Sequence, residues 1–207
     1  MEMKRDLKKE LKEMYSASAK KCAFVTAPEM NFIMADGRGD PNNNPSFQEA
    51  VEALFAVSYT IKFAVKKAGG GDFAVMPLEG LWWSDGPFDM KNRGNWLWTA
   101  MIMQPPHVTS QTFNAALKTA AAKKDLPGLV RLRFEPFTEG YAAQILHTGS
   151  FSTEPPTVRA LDGFIAENGC EQSGKHHEIY LTDMRRTAPE KLKTIIRHPV
   201  TLVKRQT

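Results

Sequence analysis

The chain has 207 residues, 42% hydrophobic and 24% charged, and its 27 basic against 23 acidic side chains leave a net charge of +4. That length holds one large domain or a fused pair of small modules, with enough apolar residues for a sizeable core. The basic excess is slight, gathers in the end runs KRDLKKELK and KRQT, and nowhere interleaves with aromatics, so direct nucleic-acid binding is not expected. Cys22 and Cys170 lie far apart, outside any CxxC or Cys/His spacing, which argues against a metal site or disulfide framework. A charged N-terminus and the lack of any apolar run of about 18 residues give the cytoplasm as the expected location, with no membrane partner. No cofactor is expected.

After a charged opening helix, Lys21 to Asp36 reads as strand and ends in the turn DGRGDPNNNP. Ser46 with Glu49 three residues on has capping-box spacing and opens a helix to about Ala68, where Gly69, Gly70 and Gly71 stop it. Val51, Leu54, Phe55, Ile61, Ala64 and Val65 form its apolar stripe, with Ser58 intruding. Strands at Phe73 to Trp83 and Trp96 to Gln104 follow, joined by a loop at 84–95. Thr109 then caps a helix through Lys124.

Beyond it come strands at Val130 to Glu135 and Tyr141 to His147, a helix from about Glu154 to Asn168 stopped by Gly169, and strands at His176 to Thr182 and Val200 to Val203. Each half thus runs strand, helix, strand, strand, an internal duplication. The expected fold is α+β: a single domain over 1–207, with module one at about 21–105, a linking helix at about 109–124 and module two at about 129–205. Two pseudo-twofold-related modules would carry antiparallel sheets with helices on one face, leaving the opposite faces to form a ligand cleft between modules.

The stretch HHEIYLTDMRR at 176–186 carries the main chemical signal. Alternation puts Ile179 and Leu181 on one strand face and His176, Glu178 and Tyr180 on the other. A carboxylate on a strand flanked by rings is either a surface charge paired with Arg185 or Lys175, or a site residue. Tyr180 can orient it or simply pack across strands. By duplication Glu79 is its pseudo-symmetric counterpart, with Trp83 on the same face and Trp82 on the other unless Gly80 makes a bulge. Trp96 and Trp98 share a face of the next strand, and core packing is the plain alternative for every tryptophan. Tyr141 and His176 complete the candidate ligand contacts. His147 has no accompanying nucleophile and reads as structural; GRGD and GGG lack a phosphate-loop pattern.

EGYAAQILHTGSFSTEPPTVRALDGFIAENG followed by KHHEIYLTDMRRTAPEKLKTIIRHPV resembles the GyrI-like small-molecule-binding family. The likeness rests on Glu139, Gly140, Gln144, His147, Gly149, Phe151 and Glu154, on EIYLTD, and on the RTAPEKLKTI run. The first half, through FIMADGRGDPN and PLEGLWW, is similar to stand-alone members. The resemblance covers roughly Asn31 to Val203 and implies paired strand-helix-strand-strand modules and a ligand-site glutamate at Glu178. It further implies a lipophilic, planar or cationic small-molecule ligand and, in a hydrolytic extension, opening of cyclopropane-bearing genotoxins by water with Glu178, Tyr180 and Glu79 as catalytic residues. Trp83, Trp82, Trp96, Trp98, Tyr141 and His176 would then hold the ligand through stacking and cation–π contacts. A non-catalytic drug sensor or gyrase-inhibitor-like interaction protein is the alternative. The roughly 20 residues ahead of the first strand are too few for a helix-turn-helix domain.

Overall fold

The computed structural model describes residues 5–86 and 93–203. The KRQT run, Lys4 of the opening basic run and the centre of the 84–95 loop lie outside the described residues. The elements in chain order are α1 (Leu7–Glu10), α2 (Lys12–Tyr15), β1 (Ala23–Ala27), β2 (Met30–Arg38), α3 (Pro45–Lys67), β3 (Leu78–Trp83), β4 (Leu97–Gln104), α4 (Ser110–Lys123), β5 (Arg133–Phe137), β6 (Gly140–Thr148), α5 (Pro155–Glu167), β7 (Cys170–Gln172), β8 (His176–Tyr180) and β9 (Lys193–Leu202). The protein is α+β with antiparallel pairing, as the alternating sequence blocks predict.

The chain divides into two compact units: one from residues up to Glu10 plus Met30–Phe137, the other from Leu11–Glu29 plus Thr138 onward. In the first, the strand order is β3-β4-β2-β5. In the second it is β1-β6-β9-β8, with β7 also paired to β9. The expected single strand at the start is therefore two. Pro28 and Glu29 separate them, and β1 pairs with β6 while its successor β2 pairs with β4 and β5.

Helix α3 covers one face of the first unit's sheet. Phe47, Ala50, Leu54, Val57 and Ile61 are buried, and Phe47 meets the rings of Trp82 at 5.5 Å and Trp98 at 5.0 Å. Each fully buried aliphatic or aromatic chain of this kind contributes about 1.5–3 kcal/mol relative to exposure. Ser58, the polar intruder, accepts a hydrogen bond from Gln104 Nε2 at 3.2 Å. Gly37 is required by close approach, because a Cβ there would lie 2.0 Å from the Trp98 ring. The helix begins one residue before Ser46: Asn44 caps it, accepting from Ser46 N at 3.0 Å, and Pro45 fills the first turn, where its fixed φ suits the helix. Glu49 instead meets Arg131 Nη2 at 2.9 Å.

In the second unit α5 lies on the face that carries Ala143, Ile145, Ile196 and Val200, and buries Leu161 and Ile165 among them. Two expected strands shift. Pro127–Arg131 is a 3-10 turn, so the strand there starts only at Arg133, and β9 begins at Lys193 rather than Val200. Pro199 hid that length, since it interrupts the sequence pattern; in β9 it sits opposite Ala142 and its carbonyl accepts from Ser173 N at 2.8 Å.

Candidate functional site

Strand β8 is buried along its whole length, so the two faces of HHEIY both meet side chains. Residues directly opposite in an antiparallel pair point the same way. Glu178 lies opposite Ile196, and Ile196 opposite Ile145. Glu178 therefore faces the α5 side, contrary to the expectation that site residues alternate away from the helices. The physical reason is register: His176, Glu178 and Tyr180 share parity with the α5-side positions Ile196 and His198 of β9.

Glu178 is 6% exposed. It is not the surface carboxylate of the plain reading, and Arg185 instead engages Asp183. Oε1 of Glu178 lies 3.0 Å from His176 Nε2, and His176 Nδ1 lies 2.8 Å from His198 Nε2. His198 Nδ1 in turn lies 3.2 Å from Asp162 Oδ1 on α5, off the line of a hydrogen bond. Among the described residues no hydrogen bond reaches Glu178 Oε2. Both imidazoles are buried while Asp162 reaches solvent. Burial lowers the imidazolium stability of His198, Asp162 opposes that, and His176 adds to it; the net position is below the ordinary histidine value. His176, a candidate ligand contact from the sequence, is an interior link of this chain. Tyr180 packs its ring edge-to-face on Phe151 at 5.8 Å.

On the opposite face of the same strands a second carboxylate is buried in a different way. Glu139 Oε1 contacts His177 Nδ1 at 2.9 Å, and Oε2 accepts from Arg197 Nη1 at 3.1 Å. Arg197 also donates from Nε to Gln144 Oε1 at 3.0 Å and from Nη2 to the Met14 carbonyl. Gln144 Nε2 donates to the Glu13 carbonyl at 2.9 Å, so the stretch around α2 closes this face. Burial by itself would raise the Glu139 carboxyl, yet His177 and Arg197 outweigh it and hold it at about 2.

In the first unit β3 is regular against β4 from Leu78 to Trp83, so Gly80 makes no bulge. Trp82 faces α3 with Trp98, and Trp96 packs on Trp82 at 5.5 Å. These three tryptophans are buried, while Trp83 is half-buried and shares the face of Glu79. Glu79, 1% exposed, faces away from its unit's helix. Glu178 faces toward its own, so the two are not equivalent positions of a repeated module. Tyr141 is half-exposed and stacks on Phe24 at 4.9 Å, on the α5 side. His147 is structural in geometry, with Nδ1 2.9 Å from Thr157 Oγ1 and Nε2 3.2 Å from the Ser150 carbonyl. Among the described residues no His, Cys, Asp and Glu group has the arrangement of a metal site, and no helix is long and apolar enough to cross a membrane.

The family model of the GyrI-like small molecule binding domain matches residues 20–201. The chain belongs to this family. It is 43% identical to an uncharacterized conserved protein from Listeria innocua, over 95% of this chain and 99% of that one, with a TM-score of 0.88. A hydrolase from the same organism is 42% identical over 96% of this chain and 100% of that one, with a TM-score of 0.87. The C-terminal domain of EcmrR shares the fold at 13% identity and a TM-score of 0.54, over 88% of this chain and 98% of that one. Among curated proteins none matches.

His198 belongs to the site's hydrogen-bonding chain and Asp162 flanks its outer end, and neither was among the residues singled out from sequence. His198 stands two positions after Ile196 in a strand that Pro199 disguised. Asp162 offered only helical spacing from Leu161 and Ile165.

Proposed function

We propose that this GyrI-like protein binds lipophilic, planar or cationic small molecules inside the cell, with Glu178 as the central polar contact and Tyr180 and Tyr141 as aromatic contacts. One observation carries the reading: a buried carboxylate whose Oε1 is held by a single imidazole and whose Oε2 takes no hydrogen bond from the described residues. Burying a charge costs several kcal/mol unless it is compensated, so a position of this kind favours a ligand that supplies the missing partner. Trp82, Trp96 and Trp98 give the aromatic backing of their own sheet.

The 42% identical Listeria hydrolase favours a catalytic extension, hydration of a strained cyclopropane in a flat electrophile. In that reaction Glu178 removes a proton from water as the water oxygen bonds to a ring carbon. The ring C–C bond breaks, and its electron pair passes to the remainder of the electrophile, which takes up a proton. The net change is addition of one water. Tyr180, on the same strand face, is the further catalytic candidate, for orienting the water or the electrophile.

Incubation with a cyclopropane-bearing alkylator, followed by mass spectrometry of the products, tests the extension. Ring-opened hydrated product is expected, with turnover lowered about 100-fold or more in Glu178→Gln, the usual scale for losing a general base. Turnover that survives this substitution removes the proposed role. Binding is read separately by quenching of tryptophan fluorescence with lipophilic dyes, and silence across a chemically varied panel ends the binding proposal.

A further inference from the structure

Three contacts join Glu178 to the surface through His176, His198 and Asp162, and the donor inventory of these groups restricts where protons can sit. Each of the two hydrogen bonds, Glu178 to His176 and His176 to His198, needs one proton between its two heavy atoms. The outer contact, off the line of a hydrogen bond, favours a proton on His198 Nδ1, because a bare ring lone pair 3.2 Å from the Asp162 carboxylate oxygen is repelled. Two arrangements with His176 neutral then meet all three contacts, and a third, in which His176 is an imidazolium donating to both the Glu178 carboxylate and His198 Nε2, lies between them. In the first, Glu178 is a neutral acid donating to His176 Nε2, His176 donates from Nδ1 to His198 Nε2, and His198 is neutral. In the second, Glu178 is a carboxylate accepting from His176 Nε2, while His198 is an imidazolium donating to His176 Nδ1 and paired with Asp162. Both contain the same number of protons. They interconvert when one proton crosses between the rings and one crosses between His176 and Glu178.

We infer that His176 and His198 are positioning residues that let Glu178 change charge without exchanging a proton with solvent, so that one site accepts both neutral and cationic ligands. This inference rests on the proposal that Glu178 contacts the ligand. A neutral lipophile meets Glu178 as an acid that donates a hydrogen bond. A lipophilic cation meets it as a carboxylate, its former proton stored on His198 against Asp162. The charged groups around His198 are Asp162 from α5 and His176 from β8, with Glu139 acting from farther off. Asp162, 3.2 Å from His198 Nδ1, compensates the stored charge.

Imidazole ¹⁵N NMR of the full chain reads the ring tautomers, with methyltriphenylphosphonium as the cationic probe and triphenylphosphine oxide as a neutral probe of similar shape. In the ligand-free protein His198 Nδ1 must carry a proton, since all three arrangements place one there; a bare Nδ1 overturns the inference whether or not any probe binds. On saturation with the phosphonium, His176 is expected to hold its proton on Nε2 and His198 to become doubly protonated. A bound phosphonium that leaves His198 neutral overturns it. His198→Gln should weaken phosphonium binding about tenfold more than it weakens phosphine oxide binding, the lower range for coupled sites. Equal losses for the two probes would reduce His198 to a packing role. Failure of both probes to bind wild-type protein would count against the proposed ligand site, and the Nδ1 readout would still decide the proton arrangement.

Discussion

The second unit buries two carboxylates on opposite faces of the same strands. Glu139 is gripped on both oxygens, by His177 and by an arginine that is itself satisfied by Gln144 and the Met14 carbonyl. Glu178 is held on one oxygen by one imidazole. Burial is nearly the same, and the difference is the number and charge of the donors. Glu139 is a completed ion pair that ties the β6–β9 face to the stretch around α2. Glu178 is left able to gain a partner. A buried carboxylate therefore marks a candidate ligand site only where its hydrogen-bonding capacity is incomplete.

The widest separation between the two clusters should come from removing one partner of the completed one. Arg197→Met leaves Glu139 buried without its cation and is expected to cost about 3–5 kcal/mol in urea unfolding, as breaking a buried pair usually does. A loss under about 1 kcal/mol would place Arg197 and Glu139 in the same loosely held class as Glu178 and erase the contrast.

Acid unfolding gives the next effect. The Glu139 carboxyl is lowered from 4.5 to about 2 in the folded protein. Its contribution to stability is then complete above the unfolded value and is lost as pH falls from about 4.5 toward 2. At about 1.4 kcal/mol per unit this amounts to roughly 3 kcal/mol. Glu139→Gln should flatten that part of the stability-versus-pH curve, and a variant curve parallel to wild type would contradict the pairing.

His198 gives a smaller effect in a different window. Its folded value lies below 6.5 because burial disfavours the imidazolium. The stability it contributes is present above pH 6.5 and declines as pH falls through that value toward its folded one. His198→Gln should remove this decline and leave the Glu139 limb intact. A His198 variant that alters only the lower limb would show the two faces to be coupled rather than separate.

Much of this contrast was legible in the sequence. Alternation in HHEIY put Glu178 and Ile179 on different faces of β8, and they pair with Ile196 and Ile195 respectively. The ends of α4 and α5 followed from Thr109 and Gly169, since caps and positive-φ glycines are local features. Which face met a helix was not legible, because alternation separates two faces without saying what covers either. That is why Glu178 was expected on an open face and was paired with Glu79. The register of β9, hidden by Pro199, decides both questions, and with it the place of His198. Glu139 and Gln144 stood out only as pieces of a family motif. Their joining to Arg197 depends on strand pairing across more than 50 residues, which no local pattern reports.

The most direct test of the difference between these carboxylates is Glu178→Gln, examined for unfolding free energy and for binding of a lipophilic cation. Gln keeps the side chain's shape and can still accept from His176, so stability should stay within about 1 kcal/mol of wild type. Affinity for the cation should fall about tenfold or more, as expected when a desolvated charge partner is lost. A protein that loses several kcal/mol of stability and binds the cation as before would contradict the account, because Glu178 would then be structural, like Glu139.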